Sequence, residues 1–166
     1  MTVIRSGYVL FVFFIIFLMG CAYGISQQSR SKVTYAGTFS ELQKTPYIYK
    51  DEIIMLGGKI LETNVSSTLS ELTVLQLALD NNDRPVNLDQ SHGRFLVQSK
   101  KFLDPAIYQK GILLTLVGKL KGSEVRAIGE FDYAYPLLEP IEIKLWPMEI
   151  LTQPRFHFGF GVGTVF

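Results

Sequence analysis

Apolar and polar residues alternate along much of the chain between residues 51 and 146, and this period of two predicts β-strands. At the end of this region, Ile141, Ile143 and Leu145 share one face of a strand. The pattern predicts five strands, at 52–64, 71–79, 94–99, 112–121 and 141–146. The fourth strand turns at 121–123 and resumes at 125–128. The sequence therefore predicts a mainly β domain.

Two interruptions of the alternation indicate how these strands are arranged. Gly57 and Gly58 lie inside the first strand, where paired glycines mark a bulge or a sharp bend. Residues 102–108 lose the alternation, and Asp104 followed by Pro105 suits the N-cap and first position of a short helix. A bent first strand, with a helix between the third and fourth strands, predicts a small five-stranded Greek-key barrel of the OB-fold type.

The region ahead of the first strand is predicted to hold a tether and one short helix. Residues 23–32 are mostly polar and are typical of a flexible linker. Thr38 and Glu41 have the spacing of a capping box, so we expect a short helix through 42–44. Pro46 ends it, because the residue before a proline disfavours the helical conformation.

A different pattern occupies the first twenty residues. Residues 8–19 are apolar without interruption and follow the basic residue Arg5, as in the hydrophobic region of a signal peptide. Gly20 is small, which suits a cleavage site directly before Cys21. An uncleaved transmembrane anchor remains the alternative, because residues 7–25 carry no charge and are long enough to cross a bilayer.

Cys21 is the only cysteine of the 166 residues, so an internal disulfide is excluded. We predict that its thiol carries lipid and that cleavage falls between Gly20 and Cys21. Ala22 stands where an aspartate commonly retains lipoproteins in the inner membrane, which predicts an outer-membrane location. We expect the lipid-anchored domain on the periplasmic face of that membrane. The predicted organisation is a signal peptide at 1–20, a lipidated tether at 21–37, a barrel domain at 38–150 and an aromatic tail at 151–166.

Charge and composition limit the partners of such a protein. The chain has 16 basic and 15 acidic residues, and removal of 1–20 takes away one basic residue, Arg5, leaving 15 of each sign. This balance argues against nucleic acid or anionic lipid as a partner. The 146 residues that remain are enough for one domain with its own core.

The candidate chemistry is sparse. His92 and His157 are the two histidines, and neither has metal-ligand spacing; a solvated loop accounts for Asp89 near His92. Glu130 and Asp132 share one face of a strand, where a solvated edge is the simpler interpretation. No nucleophile is paired with a base in sequence. We predict no catalytic residue, no metal and no cofactor.

Three aromatic residues form the candidate ligand or partner surface. Tyr133 and Tyr135 share one strand face and could stack on a sugar or a peptide, and Trp146 offers the same possibility. Packing in the core or at an interface is the alternative for all three. Within the tail at 151–166, the run 156–162 alternates with period two and the chain ends at Val165-Phe166, which predicts an apolar tail that docks on a membrane, on a partner or on the barrel itself.

A series of short motifs runs through the predicted domain. In order they are Gly57-Gly58-Lys59-Ile60, Ser91-His92-Gly93-Arg94-Phe95-Leu96, Phe102-Leu103-Asp104-Pro105, Tyr133-Ala134-Tyr135-Pro136 and Leu145-Trp146. This order over 39–146, downstream of Cys21, resembles the Slp family of starvation-inducible outer-membrane lipoproteins of Gram-negative bacteria. The resemblance implies a lipid-anchored protein linked to stress or stationary phase, with no established enzymatic activity and with a defined role for Cys21 alone.

Two functional hypotheses follow. The first is a non-enzymatic structural or interaction protein of the envelope, anchored in the outer membrane and contacting another envelope protein. The second is a binding module for an envelope glycan or peptide that uses Tyr133, Tyr135 or Trp146.

Overall fold

The computed structural model describes residues 24–147, in which two short helices precede six strands. The helices are α1 (Gln27–Arg30) and α2 (Phe39–Lys44), and the strands are β1 (Ile53–Val65), β2 (Ser70–Leu79), β3 (Pro85–Val86), β4 (Arg94–Ser99), β5 (Leu113–Ile128) and β6 (Phe131–Trp146). The predicted signal peptide, Cys21 and the tail at 151–166 lie outside the described residues.

Five of the strands close into a barrel. Their order around it is β1-β5-β6-β4-β2, and β2 returns to pair with β1. β4 runs parallel to β6, with Leu96 opposite Leu137, and the other pairings are antiparallel. β3 adds to β2 at Pro85 opposite Leu79. The predicted OB-like Greek-key barrel is therefore confirmed, with one short strand added.

The two glycines of β1 allow this strand to serve both halves of the barrel. Gly57 pairs with Leu77 of β2 on one side and with Thr115 of β5 on the other. A Cβ atom on Gly57 would lie 2.3 Å from Leu79 Cδ2. The glycines are needed for this close approach, while the bulge itself lies three residues further on, between Ile60 and 62.

The predicted turn at 121–123 is wrong, because β5 continues through it. Gly122 has a φ of +132° and lies at a register shift after Leu120, so the glycine bends the strand without ending it. The chain reverses instead at Gly129, which has a φ of +63°. Residues 123–128 and 131–136 therefore form a paired extension of the barrel, which we call the arm.

The predicted helix between the third and fourth long strands is reduced to a single turn. The carbonyl of Asp104 accepts hydrogen bonds from the backbone N–H groups of Ile107 and Tyr108, both at 2.9 Å. The carboxylate of Asp104 accepts from the N–H of Ala106 at 2.8 Å, which is the geometry of an N-cap. Leu103, just before the turn, is buried in the core.

α2 closes one end of the barrel. Leu42 is fully buried, and the ring of Phe39 lies 6.2 Å from that of Phe95. The predicted capping box is confirmed: Glu41 N–H donates to the hydroxyl of Thr38, and Thr38 N–H donates to the carboxylate of Glu41 at 2.9 Å. The cap fixes the start of a helix that six residues alone would not hold.

Candidate functional site

The N-terminal segment is docked on the outside of the barrel. Ile25 is 6% exposed, and its backbone N–H donates to the carboxylate of Asp83 at 3.2 Å. Arg30, at the end of α1, forms an ion pair with the same carboxylate. The prediction of a flexible tether is therefore wrong for residues 24–30, because these residues are held by a partner more than fifty positions away, which local composition does not reveal.

A second contact fixes the first turn of this segment to β6. The backbone N–H of Ser26 donates to the carboxylate of Glu142 at 3.0 Å, and the Ser26 hydroxyl donates to it as well. Burial acts to raise the pKa of Glu142, but hydrogen bonds from Ser26 and Ser29 prevail, and its pKa lies below the ordinary value. Glu142 is therefore bound in its charged form.

The loop 80–84 is shaped to present Asp83 to the N-terminal segment. The carboxylate of Asp80 accepts hydrogen bonds from the N–H groups of Asn82 and Arg84, at 2.8 and 2.9 Å. Asp83 itself has a φ of +65° and is 3% exposed. Asparagine and aspartate tolerate this left-handed conformation better than other non-glycine residues, so the turn can place a carboxylate there.

Trp146 lies beneath this loop. It is 7% exposed, and its indole N–H donates to the hydroxyl of Thr115 at 2.9 Å. The Thr115 hydroxyl in turn donates to the backbone carbonyl of Asp83. The cationic groups of Arg84 and Lys144 each lie 5.8 Å from the centre of the indole ring. Trp146 therefore packs under the docked N-terminal segment, which is the packing role given above as the alternative to ligand binding.

Tyr133 and Tyr135 lie on the side of the arm that faces the barrel. Their rings meet edge to face with centres 4.7 Å apart, and Tyr135 is 5% exposed. The hydroxyl of Tyr133 accepts a hydrogen bond from the N–H of Arg94 at 2.6 Å. A Cβ atom on Gly93 would lie 2.2 Å from that hydroxyl, so glycine is needed there. Both tyrosines hold the arm against the barrel.

An ionic network under the arm reinforces this contact. Two nitrogens of Arg126 donate to the two carboxylate oxygens of Glu71, at 2.6 and 2.8 Å. Gln98 donates to Glu71 at 2.8 Å, and Glu124 accepts from Arg126 at 2.9 Å. The hydrogen bond from Arg126 holds the pKa of the buried Glu71 carboxyl below its ordinary value, and the pKa of Arg126 is raised. No local sequence pattern indicates this network, because Glu71 and Arg126 are 55 residues apart.

An apolar groove lies on the outer side of the arm. It measures about 480 Å³ and is bounded by the turn 45–48 on one side and the arm on the other. Tyr47, Ile48 and Val125 line it and are 71%, 75% and 63% exposed. Phe131, at the tip of the arm, is 79% exposed. No local sequence pattern indicates this groove either, since it joins the turn 45–48 to a strand more than seventy residues further along the chain.

The acidic and histidine residues weighed for catalysis are dispersed. Glu130 and Asp132 are exposed near the tip of the arm, and His92 is exposed in the loop before β4. Within residues 24–147, no three histidine or acidic side chains converge in a way that could hold a metal ion. Over the same residues, no helix has the length and apolar character to span a bilayer.

The described residues form a small OB-like barrel, and the N-terminal segment 24–30 is docked on its outer surface. The model of the outer membrane lipoprotein Slp family matches residues 18–161, and the chain belongs to that family. The resemblance seen in the motifs is thereby confirmed.

Similar proteins have been named in two bacteria. The chain is 26% identical over 155 residues to the uncharacterized lipoprotein YeaY of Escherichia coli K12, covering 89% of this chain and 80% of that protein. It is 23% identical over 127 residues to outer membrane protein Slp of the same organism, covering 75% and 67%. An uncharacterized protein of Haemophilus influenzae is 31% identical over 96 residues, covering 57% of this chain and about half, 52%, of that protein.

A comparison with solved structures gives a weak likeness. Schizosaccharomyces pombe Pot1pC bound to ssDNA aligns with a TM-score of 0.36 and 10% identity, covering 71% of this chain and 91% of that chain. The OB-like description of the barrel rests on its own strand order.

Proposed function

We propose that this chain is anchored to the outer membrane by acyl chains on Cys21 and acts as a non-enzymatic interaction protein of the envelope. The observation that carries the anchor is the family match, which begins at residue 18 and so includes the short motif that ends at Cys21. Acyl chains bind a bilayer with about 0.8 kcal/mol per buried CH₂, so two or more chains hold a protein stably. A link to stress or stationary phase belongs to the same proposal.

The groove beside the arm is the proposed partner surface. Large apolar side chains that remain exposed together mark interaction sites more often than isolated ones do. Tyr47, Ile48 and Val125 meet this condition, and Lys44 is the charged residue on the rim. The proposed occupant is an apolar segment of another envelope protein.

A glycan fits this groove less well. Sugar hydroxyls need several converging polar groups, and the most exposed lining side chains include Ile48 and Val125, which form no hydrogen bonds. Tyr133, Tyr135 and Trp146, on which the glycan hypothesis rested, serve the packing contacts described above. The protein-partner hypothesis is therefore preferred.

The anchor is tested by density-gradient fractionation of Cys21→Ser beside the wild type. The wild type should sediment with outer-membrane fractions, and the variant should leave them, since it cannot be acylated. Ser67→Ala, in the exposed turn after β1, is the control and should behave as the wild type. Outer-membrane recovery of the Cys21→Ser variant would contradict the anchor.

The groove is tested with a photo-crosslinking amino acid at Ile48 or Val125 in intact envelopes. A discrete protein adduct should form from both positions and disappear when Tyr47→Asp is added. The same crosslinker at Gln109, an exposed position of the 100–112 loop, should give no such adduct. Adducts of equal yield from all three positions would count against the groove. Saturable binding of peptidoglycan fragments, lost in Tyr47→Ala, would favour the glycan hypothesis instead.

A further inference from the structure

The docked N-terminus has a consequence for how the domain sits on the membrane. We propose that the barrel stands on the bilayer with one defined face, formed by α1, the loop 80–84 and the end of β6 at 142–146, against the phospholipid head groups. This inference rests on the lipid on Cys21 proposed above. The new elements are the orientation of the domain and the surface that touches lipid.

The chain between the lipid on Cys21 and the first fixed residue of the domain is short. Ile25 is fixed, because its N–H is bonded to Asp83 and its side chain is buried. Ile25 is four positions after Cys21, and a fully extended chain of that length spans at most about 14 Å. Whatever path the chain takes, the head groups therefore lie within that distance of the docked segment.

The docking contact itself produces this short reach. If α1 were released, the next fixed point would be Thr34, whose N–H donates to the carbonyl of Ile53 at 2.9 Å. Thr34 is thirteen positions after Cys21, and a chain of that length spans up to about 45 Å when extended. The domain could then turn freely. The contacts of Asp83 and Glu142 with the N-terminal segment thus convert a long tether into a short one.

The charged side chains of this face also bear on its contact with lipid head groups. Its three acidic side chains already accept hydrogen bonds from the protein itself, Asp80 from its own loop, Asp83 from Ile25 and Glu142 from Ser26. The cationic groups of Arg84 and Lys144 each lie 5.8 Å from the centre of the Trp146 ring. Phosphate oxygens of lipid head groups suit the ammonium group of Lys144. The overall charge balance of the chain hides this local arrangement.

The orientation also places the partner groove away from the bilayer. Thr115 lies beneath the docked face, and Val125 lines the groove on the same strand. Val125 is ten positions after Thr115, which corresponds to at most about 33 Å of extended strand, and Gly122 bends the strand between them. A groove at the far end of β5 is open to a partner from the aqueous side.

Fluorescence quenching tests the orientation in the acylated protein. Cys21 is the single cysteine and its thiol is acylated, so a cysteine introduced elsewhere takes the label alone. Labels at Gln28→Cys, Lys144→Cys and Val125→Cys are compared in vesicles of phosphatidylethanolamine and phosphatidylglycerol that contain a lipid with a nitroxide on its head group. Quenching at 28 and 144 should exceed that at 125 several-fold.

Equal quenching at all three positions, in protein shown by mass to be acylated and bound to the vesicles, would overturn the orientation. Protein that lacks lipid and does not bind the vesicles would contradict the proposed anchor instead. The two failures are therefore distinguishable.

Lengthening the tether tests the cause without altering the folded domain. A twelve-residue Gly-Ser insertion after Tyr23 should keep the protein on the vesicles and reduce the difference between positions 144 and 125 to near zero. Asp83→Ala should have the same effect by releasing α1, whereas Asp89→Ala, at an exposed loop position, should not. A difference that persists with the insertion would show that the short reach does not set the orientation.

Discussion

At the scale of single residues, buried polar groups in the described part of the chain form contacts that hold its segments together. Asp83 receives the N-terminus, Thr115 links it to Trp146, and Glu71 binds Arg126. Each of these groups is matched by a donor or an acceptor, which buried polar atoms require. Tyr133, Tyr135 and Trp146, which the sequence offered as ligand-binding residues, have packing contacts of this kind. Glu130 and Asp132 are exposed near the tip of the arm.

The ion pair of Glu71 predicts a pH dependence of stability. Arg126 holds the pKa of Glu71 below its ordinary value of about 4.3. The unfolded chain therefore binds the proton first as pH falls, so the stabilisation is complete above about pH 5 and is lost as pH falls through the folded pKa. Glu71→Gln should lower the free energy of unfolding by about 2 kcal/mol at pH 7, since a charged hydrogen bond is lost.

Urea unfolding from pH 7 to pH 3 provides the measurement. The wild type and Glu71→Gln should converge as the pH falls, whereas Glu130→Gln, an exposed carboxyl at the tip of the arm, should parallel the wild type throughout. A constant gap between wild type and Glu71→Gln over the whole range would exclude the ion pair as its origin.

At the scale of elements, local signals predicted the strands well and their ends poorly. The bent β1, the capping box of α2 and the turn at Asp104 all follow from residues close in sequence. The turn predicted at Gly122 was wrong, because whether a glycine ends a strand or bends it depends on the partner strand beside it. The docked α1 was missed for the same reason: its stability comes from Asp83 and Glu142.

The turn after β4 predicts a measurable capping effect. Asp104→Ala removes the side-chain acceptor of the Ala106 N–H and should cost about 1 kcal/mol. Asp104→Asn keeps an acceptor oxygen and should recover most of that loss. Urea midpoints of the two variants give the comparison, and identical midpoints for Asp104→Ala and the wild type would exclude a capping role.

The glycines of β1 predict a packing effect. A methyl group on Gly58 would lie 2.3 Å from Val74 Cγ1 and 2.6 Å from the carbonyl oxygen of Leu75, so both neighbours must shift. Overpacking of this kind typically costs about 1–3 kcal/mol. Gly58→Ala should lower the melting temperature clearly, and Ser67→Ala should not. An unchanged melting temperature for Gly58→Ala would show that the barrel tolerates a wider separation of β1 and β2 at this point.

At the scale of the whole molecule, a barrel, a docked N-terminus and a distal groove form one arrangement. Family membership and the OB-like barrel class could be predicted from sequence, because motif order, alternation and the position of the break between the third and fourth strands are properties of the chain. The groove and the docked face could not, since each joins segments brought together by the closed barrel. In the anchored protein that we propose, one end of this arrangement meets lipid and the other meets a partner.

The central claim is that Cys21 joins this barrel to the membrane, and the intact mass of the protein purified from outer membranes tests it most directly. The account predicts a chain that begins at Cys21 and carries the added mass of acyl groups on that residue. A chain that retains Met1, or one that begins at Cys21 without lipid, would contradict the account.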